Sequence, residues 1–501
     1  MPEIMGAGAA VFDMDGDGDL DVLLVQSQGP SHLFRNELVP GGRLRFTDVS
    51  GSSGLDYDGY GMGVATGDVD ADGRPDVLLT GWGKTKLYRN LGGGRFAAVP
   101  QEFPPVWSTS ASFTDYDRDG RLDLVILSYV NFSAANNKRC QAPSGEPDYC
   151  TPRAYSPIAS RLYRNESRGG AIRFADVTKT AGIDQALGPG LGVAAADFNA
   201  DGWPDLFVAN DTAQNHLWIN LRNGKFREVG IEAGAAYSED GLAKAGMGVA
   251  AGDYDQDGDL DLYVVNLMRE GATLFRHEGV SPDGWPMFLD VTRQSGLYQL
   301  TFPYTGFGTE WFDYDNDGTL DLFIANGAVT LREEQRGQPT PYKEKNLLLR
   351  NLGNGRFENV SATAGPALAL EEVSRGAAFG DLDNDGDIDI VVTNNNGPVR
   401  LLENVSPPRH WVAFQLEGPV VDGAMVTLYR EDLRPLVRRA HSDSSYCSAS
   451  DMRVYFGLGD KPVMESVEVR WPSGRRDVWP AKKLTPGRIH RLRSGTGPPV
   501  N

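Results

Sequence analysis

The chain has 501 residues and a formal net charge of −20. That is longer than one ordinary domain, and too acidic, with no basic stripe, for a nucleic-acid partner. No apolar run reaches the roughly 18 residues of a membrane-spanning helix. The opening MPEIMGAGAA has neither the charged nor the apolar region of a signal peptide.

The chain opens almost at once on an acidic loop, DMDGDGDLD, running from Asp13 to Asp21. Six more copies follow, and each has an oxygen side chain at positions 1, 3, 5 and 9 and Gly at position 6. The residues are Asp13, Asp15, Asp17 and Asp21; Asp68, Asp70, Asp72 and Asp76; Asp115, Asp117, Asp119 and Asp123; Asp197, Asn199, Asp201 and Asp205; Asp253, Asp255, Asp257 and Asp261; Asp313, Asp315, Asp317 and Asp321; and Asp381, Asp383, Asp385 and Asp389. Oxygen ligands at alternate positions, with Gly for the sharp bend, match what calcium requires. The alternative is a set of acidic surface turns. An EF-hand is excluded, because position 12, where its bidentate Glu belongs, is Leu24, Leu79, Ile126, Val208, Val264, Ile324 or Val392. Position 7 varies freely, as expected of a backbone carbonyl ligand. Up to seven calcium ions are therefore expected.

Each loop is followed by an apolar, β-branched run such as DVLLV or DLFVA, so it joins two strands. A third strand ends in LxRN (Leu33 to Asn36, Leu87 to Asn90, Leu162 to Asn165), and a fourth reads like RFTDV or KFREV. Four short strands per 47–82 residues is a propeller-blade pattern. The expected fold is all-β, with a seven-bladed β-propeller over residues 1–404. The seventh copy shows no fourth strand. An open edge invites aggregation, so completion is expected either from a strand upstream of this chain, the preferred reading, or from HWVAFQL at 410–416.

Within the third repeat, Cys140 and Cys150 lie in a Pro-, Gly- and Asn-rich insertion and are expected to pair; Cys447 is left over as a partly buried thiol. A local disulfide and loops suited to millimolar calcium point outside the cytoplasm: extracellular, cell-surface or periplasmic.

Residues 405–501 differ. They carry 15 Lys and Arg against 10 Asp and Glu (+5), whereas residues 1–404 carry 33 against 58 (−25). Seven divalent ions would take the first part to −11. The pieces HWVAFQLEG, AMVTLYR, MRVYFGLG, SVEVRWPSG and RIHRLR predict a small β-sandwich-like domain.

The repeats resemble FG-GAP/VCBS repeats, the calcium-loop blades of integrin α subunits. HWVAFQLEG, the SSY before Cys447, FGLGD and VEVRWPSGRRDV resemble an ASPIC/UnbV domain, although only Asp422, Gly423 and Ala424 remain of the glycine-rich stretch expected after its first strand. The combination is similar to the cartilage acidic protein family and its bacterial homologues. The resemblance implies an exported, calcium-bound protein, and some bacterial relatives are associated with enediyne biosynthesis.

No P-loop, GxSxG, HExxH or paired CxxC motif occurs. His32, His216 and His277 sit on or beside the third-strand motif, where polar contacts within the strand are expected. Asp211, Thr212 and Asn215 are read as a turn that could line a propeller face. Glu310 is expected on an innermost strand facing the channel, and most Trp residues are expected to pack in cores. The favoured function is a calcium-stiffened module that binds a protein or glycan, with no catalytic residues assigned. The alternatives are a propeller enzyme or biosynthetic accessory protein (lyase, cyclase or hydrolase) with its site on a propeller face, or a calcium sensor.

Overall fold

Each acidic loop closes an antiparallel hairpin. In the second repeat Tyr60–Gly67 pairs with Asp76–Trp82, Gly67 lying opposite Asp76, and Lys86–Gly92 and Arg95–Ala98 add in order. This is a computed structural model, and it describes residues 1–498. The same strand order builds six four-stranded sheets. The seventh, Ser374–Gly380, Asp389–Asn394 and Arg400–Leu402, has three strands among the described residues. Second strands are buried on both faces because each sheet is stacked between two others, which is why they read as continuous apolar runs rather than alternating ones.

The first strands contact one another in succession around a closed ring, with Ser374–Gly380 meeting Ala9–Phe12. The fold is all-β, with seven propeller sheets. Apolar side chains fill each seam. At the closing one, Val11, Val22 and Leu24 pack with Ala378 and Val391. Burying each such Val or Leu stabilises by about 1.5–3 kcal/mol. The expected use of 410–416 is corrected here: His410–Glu417 pairs with Val454–Gly459 and Ile489–Arg493, away from the seventh sheet. Among the described residues the seventh sheet has three strands, and its neighbours are joined to it through the inner strands.

The later residues form a three-stranded and a four-stranded sheet around a core that includes Phe414, Val426, Leu436, Phe456 and Trp471. This unit sits on the face that carries the acidic loops. Arg470 Nη2 lies 3.1 Å from Asp197 Oδ2, and Arg409 Nη1 lies 3.1 Å from Asp315 Oδ2. Arg438 donates to Gly318 O at 3.1 Å and Arg453 to Asp381 O at 2.9 Å. The +5 unit thus covers the acid end of the ring.

Residues 442–451 of this unit run through the propeller axis and bond to the inner strand of every sheet. Ala449 N donates to Ala9 O (2.9 Å) and Val64 N to Cys447 O (3.1 Å). Cys447 N donates to Ser110 Oγ (3.0 Å), and Ala195 N to Asp443 Oδ2 (2.7 Å). Ser445 N donates to Val249 O (2.7 Å), Thr309 N to Ser445 Oγ (3.2 Å), and Asp451 N to Phe379 O (2.9 Å). Inner-strand glycines make this approach possible: a Cβ on Gly8 would stand 1.7 Å from Cys447 O. At the far end Tyr446 donates to Met5 O (3.1 Å), and buried Met1 and Met5 close the axis.

Candidate metal centres

The loop backbone explains its own sequence. Position 4 is left-handed in every copy: Gly16, Ala71, Arg118, Ala200, Gln256, Asn316 and Asn384 have φ of 54–83°. Position 6 lies further out, at φ 85–99°, which only Gly adopts at low cost. This double bend turns the backbone N–H groups of positions 5 and 6 onto the position 1 carboxylate, as in Asp72 N to Asp68 Oδ1 (3.0 Å) and Gly73 N to Asp68 Oδ2 (2.7 Å). Position 9 is fully buried. Asp76 Oδ2 accepts from Val69 N (3.0 Å) and Oδ1 from Asn90 N (2.7 Å), tying the hairpin to the third strand. The remaining copies repeat this pair of contacts, at Asp21, Asp123, Asp205, Asp261, Asp321 and Asp389.

The residues fit a hard cation. Carboxylate oxygens of Asp13, Asp15 and Asp17, of Asp68, Asp70 and Asp76, of Asp115, Asp117 and Asp123, of Asp253, Asp255 and Asp261, and of Asp313, Asp315 and Asp321 lie within 4.8 Å of one another. At position 3, the Oδ1 atoms of Asp15, Asp70, Asp117, Asp255 and Asp315 are buried without a hydrogen-bond partner among the described residues. Buried acceptors without hydrogen-bond partners, repeated at one loop position, suit a hard cation better than a solvated acidic turn. Burial, reinforced by the neighbouring carboxylates, pushes the position 9 acids up: Asp21, Asp76 and Asp389 to about 8 and Asp123 to about 9. The position 7 residues donate their N–H to position 5, as Arg74 does to Asp72 (3.1 Å).

Two further groups complete the centres. The LxRN Asn ties adjacent sheets. Asn90 Nδ2 donates to Pro75 O (3.1 Å) in its own sheet and to Met14 O (2.8 Å) in the preceding loop. Asn36 does the same across the closing seam, to Leu382 O (2.8 Å). In the fifth repeat His277 takes that role, so its place is not equivalent to that of His32 and His216, which begin their strands. His277 Nε2 lies 2.9 Å from Phe198 O, and Nδ1 lies 3.0 Å from Gly279 N and 3.3 Å from Asp259 Oδ2. The Arg of LxRN leans over position 3, with Arg89 Nη2 2.6 Å from Asp70 Oδ2 and Arg350 Nη2 3.4 Å from Asp315 Oδ2. In the fourth repeat both partners change together, to Asn199 and Ile219.

The other candidates disperse. Asp211 accepts from Tyr129 Oη (2.5 Å), Asn215 Oδ1 accepts from Asn210 N (3.2 Å), and Thr212 takes a left-handed φ of 58°; together they make a turn braced against the third sheet. His216 is buried, which lowers its pKa to about 4, and His32 pairs loosely with Asp48 (3.6 Å). Glu310 is on an inner strand, as expected, but the axis it faces is filled. Its Oε1 accepts from Trp311 N (2.9 Å), Oε2 has no partner among the described residues, and burial pushes it up to about 7. Trp107, Trp218 and Trp311 are core residues, while Trp203 carries Arg118 over its ring at 5.1 Å. Cys140 and Cys150 are joined, and Cys447 is free and fully buried, its thiol pushed up to about 12.

A model of FG-GAP-like repeats matches residues 13–79, 68–126, 197–264 and 313–392, more than half of the sequence. The chain belongs to the FG-GAP-like repeat family. An ASPIC and UnbV model matches residues 420–499, so the unit on the loop face of this FG-GAP protein carries that domain. Cartilage acidic protein 1 of Homo sapiens is 24% identical over 504 residues, covering 95% of this chain and 70% of the relative. Its Xenopus tropicalis counterpart is 24% identical over 507 residues, covering 95% and 71%. Among solved structures the chain is similar to BP39L lectin from Burkholderia pseudomallei, with 12% identity, a TM-score of 0.44, and 81% of this chain and 99% of that chain covered.

Proposed function

We propose that this FG-GAP protein is an extracytoplasmic binding module in which calcium is structural. Asp13, Asp15, Asp17 and Asp21, and the equivalent residues of the other six loops, would hold one ion each. Bound calcium would supply a positive charge at the centre of each carboxylate cluster, and the chain itself supplies the rest: N–H groups that orient position 1, a position 9 carboxylate that fastens strand three, and the Asn that joins sheets.

The observation that carries the reading is the filled axis. Residues 442–451 bond to all seven inner strands, and the basic unit covers the loop face. The opposite face is thereby left to carry recognition. It bears two insertions that the repeat does not need, 131–158 and 327–346, each between second and third strands. Loops that depart from a repeated scaffold are where binding residues concentrate. The disulfide within the first insertion supports an oxidising compartment.

The test presents the calcium-loaded full chain to arrays of secreted proteins and of extracellular glycans. Retention that is lost on Lys343→Glu combined with Asn396→Arg, on the open face, and kept on Lys225→Glu, at a blade edge, is expected. Retention governed by the blade edge would overturn the assignment of the face.

A further inference from the structure

On the open face, where the seventh sheet meets the first, lies a cleft of about 800 Å³. That is within the roughly 300–1,000 Å³ range of small-ligand sites. One wall comes from the two insertions, through Tyr149 and residues 339–343. The insertions also hold each other: Leu331 N donates to Asp148 Oδ2 (3.4 Å), and Arg336 Nη2 lies 3.9 Å from the same oxygen. A seven-sheet ring requires neither insertion, so their meeting here has another cause than folding the repeat.

The floor is rigid. Arg375 is 1% exposed and lies over the Phe307 ring at 4.0 Å. Its guanidinium donates to Ile4 O (2.8 Å), Gly327 O (2.8 Å), Ser374 O (2.8 Å) and Ala328 O (3.1 Å), so four of its five N–H donors go to carbonyls of the floor itself. A floor held this way does not have to be ordered when a ligand enters.

The lining chemistry selects the ligand. Three half-buried tyrosines, Tyr60, Tyr149 and Tyr342, line the cleft, the Tyr60 ring standing edge-on to Trp82. Gln26, Gln28, Asn395 and Asn396 offer amides, each both donor and acceptor. Asn395 uses its NH₂ group on Glu3 O (2.7 Å), which leaves its carbonyl oxygen for a ligand. Asn396 holds a left-handed φ of 52° at the rim, strain of a kind that gathers at binding loops. Glu372 is held by Arg400 at 2.6 Å and Glu3 by the chain's amino group at 2.9 Å, while Lys343 stands exposed in the lining. A polyanion is opposed by the −20 charge of the chain. Apolar side chains, among them Leu24, Val25 and Val399, line the cleft beside the rings and amides.

We infer that this cleft binds a neutral saccharide, its ring faces stacked on tyrosine and its hydroxyls taken by the amides. The inference rests on the binding-module reading and names a ligand class for it.

The calcium-loaded full chain is titrated by calorimetry with neutral oligosaccharides built from glucose, mannose, galactose, xylose and N-acetylglucosamine. Saturable binding of one class is expected, at least 10-fold weaker in Tyr342→Ala and in Asn396→Arg, with the melting temperature unchanged. Because Tyr342→Ala also touches an insertion, the exposed Asn396→Arg variant serves as the second readout. A silent panel, or binding indifferent to both variants, would overturn the saccharide assignment. If the protein array still retains a partner in that case, the module stands without the saccharide; if both fail, both readings fall.

Discussion

Replacing Asp443 by Asn should unfasten the segment in the propeller axis. Asp443 is 7% exposed, and Arg439, its partner at 2.7 Å, is 6% exposed. The same carboxylate accepts from Ser112 Oγ (2.9 Å) and Ala195 N (2.7 Å), so one side chain links the later unit to the third and fourth sheets. Asn keeps the shape but removes the charge and leaves the guanidinium buried without a counterion. Breaking a buried pair from one side costs about 3–5 kcal/mol. Urea unfolding in millimolar calcium should show a loss of that size, with ring and later unit still melting together. Burial alone would raise the Asp443 pKa, but Arg439 and His441 beside it hold the carboxyl well below the usual range. A depressed acid contributes stability above its unfolded pKa, near 3.9, and loses it as pH falls through the folded value. The gap between variant and wild type should therefore shrink below about pH 4. A loss under about 1 kcal/mol would show that the axis segment is not the fastening described here.

Asn90→Ala removes one bond to the adjacent sheet and one within its own and should cost about 2 kcal/mol by denaturant unfolding, whereas His277→Asn should cost under about 1 kcal/mol. Glu310 is an acid with a raised pKa, so its contribution is present at low pH and lost as pH rises through about 7. Glu310→Gln should accordingly leave the melt unchanged at pH 5 and stabilise at pH 8 by about 3 kcal/mol, and equal effects at both values would contradict this. Reducing the Cys140–Cys150 bond should raise protease cleavage within the 131–158 insertion while leaving the ring melt in place, because the short loop it closes lies outside the blades. A matching fall in the ring melt would count against that separation.

The repeated strands and loops were legible because each blade uses the same local rules: alternate carboxylates, a Gly at the φ that only Gly reaches cheaply, then an apolar run buried on both faces. Closure of the ring was not. It depends on inner-strand contacts and on the Asn of LxRN, whose acceptor sits in a different repeat, and a local reading expects an edge strand instead. The axis segment was also hidden. SDSSYCSASD has no strand or helix periodicity, and its partners lie as far as 441 residues away, as Met5 O does from Tyr446 Oη. Its trace in the sequence was the glycines of the inner strands, at Gly8, Gly63 and Gly376, where a side chain would strike that segment or a neighbouring strand. Glu310 was placed on the correct strand, but its surroundings belong to a unit more than a hundred residues downstream.

The most direct test of calcium as the scaffold of a binding module is thermal unfolding of the full chain in millimolar calcium and in excess chelator, with ions counted by native mass spectrometry. The account predicts several bound ions, up to seven, and a large fall in melting temperature when they are removed. An unchanged melt, or a chain that holds no calcium, would contradict it.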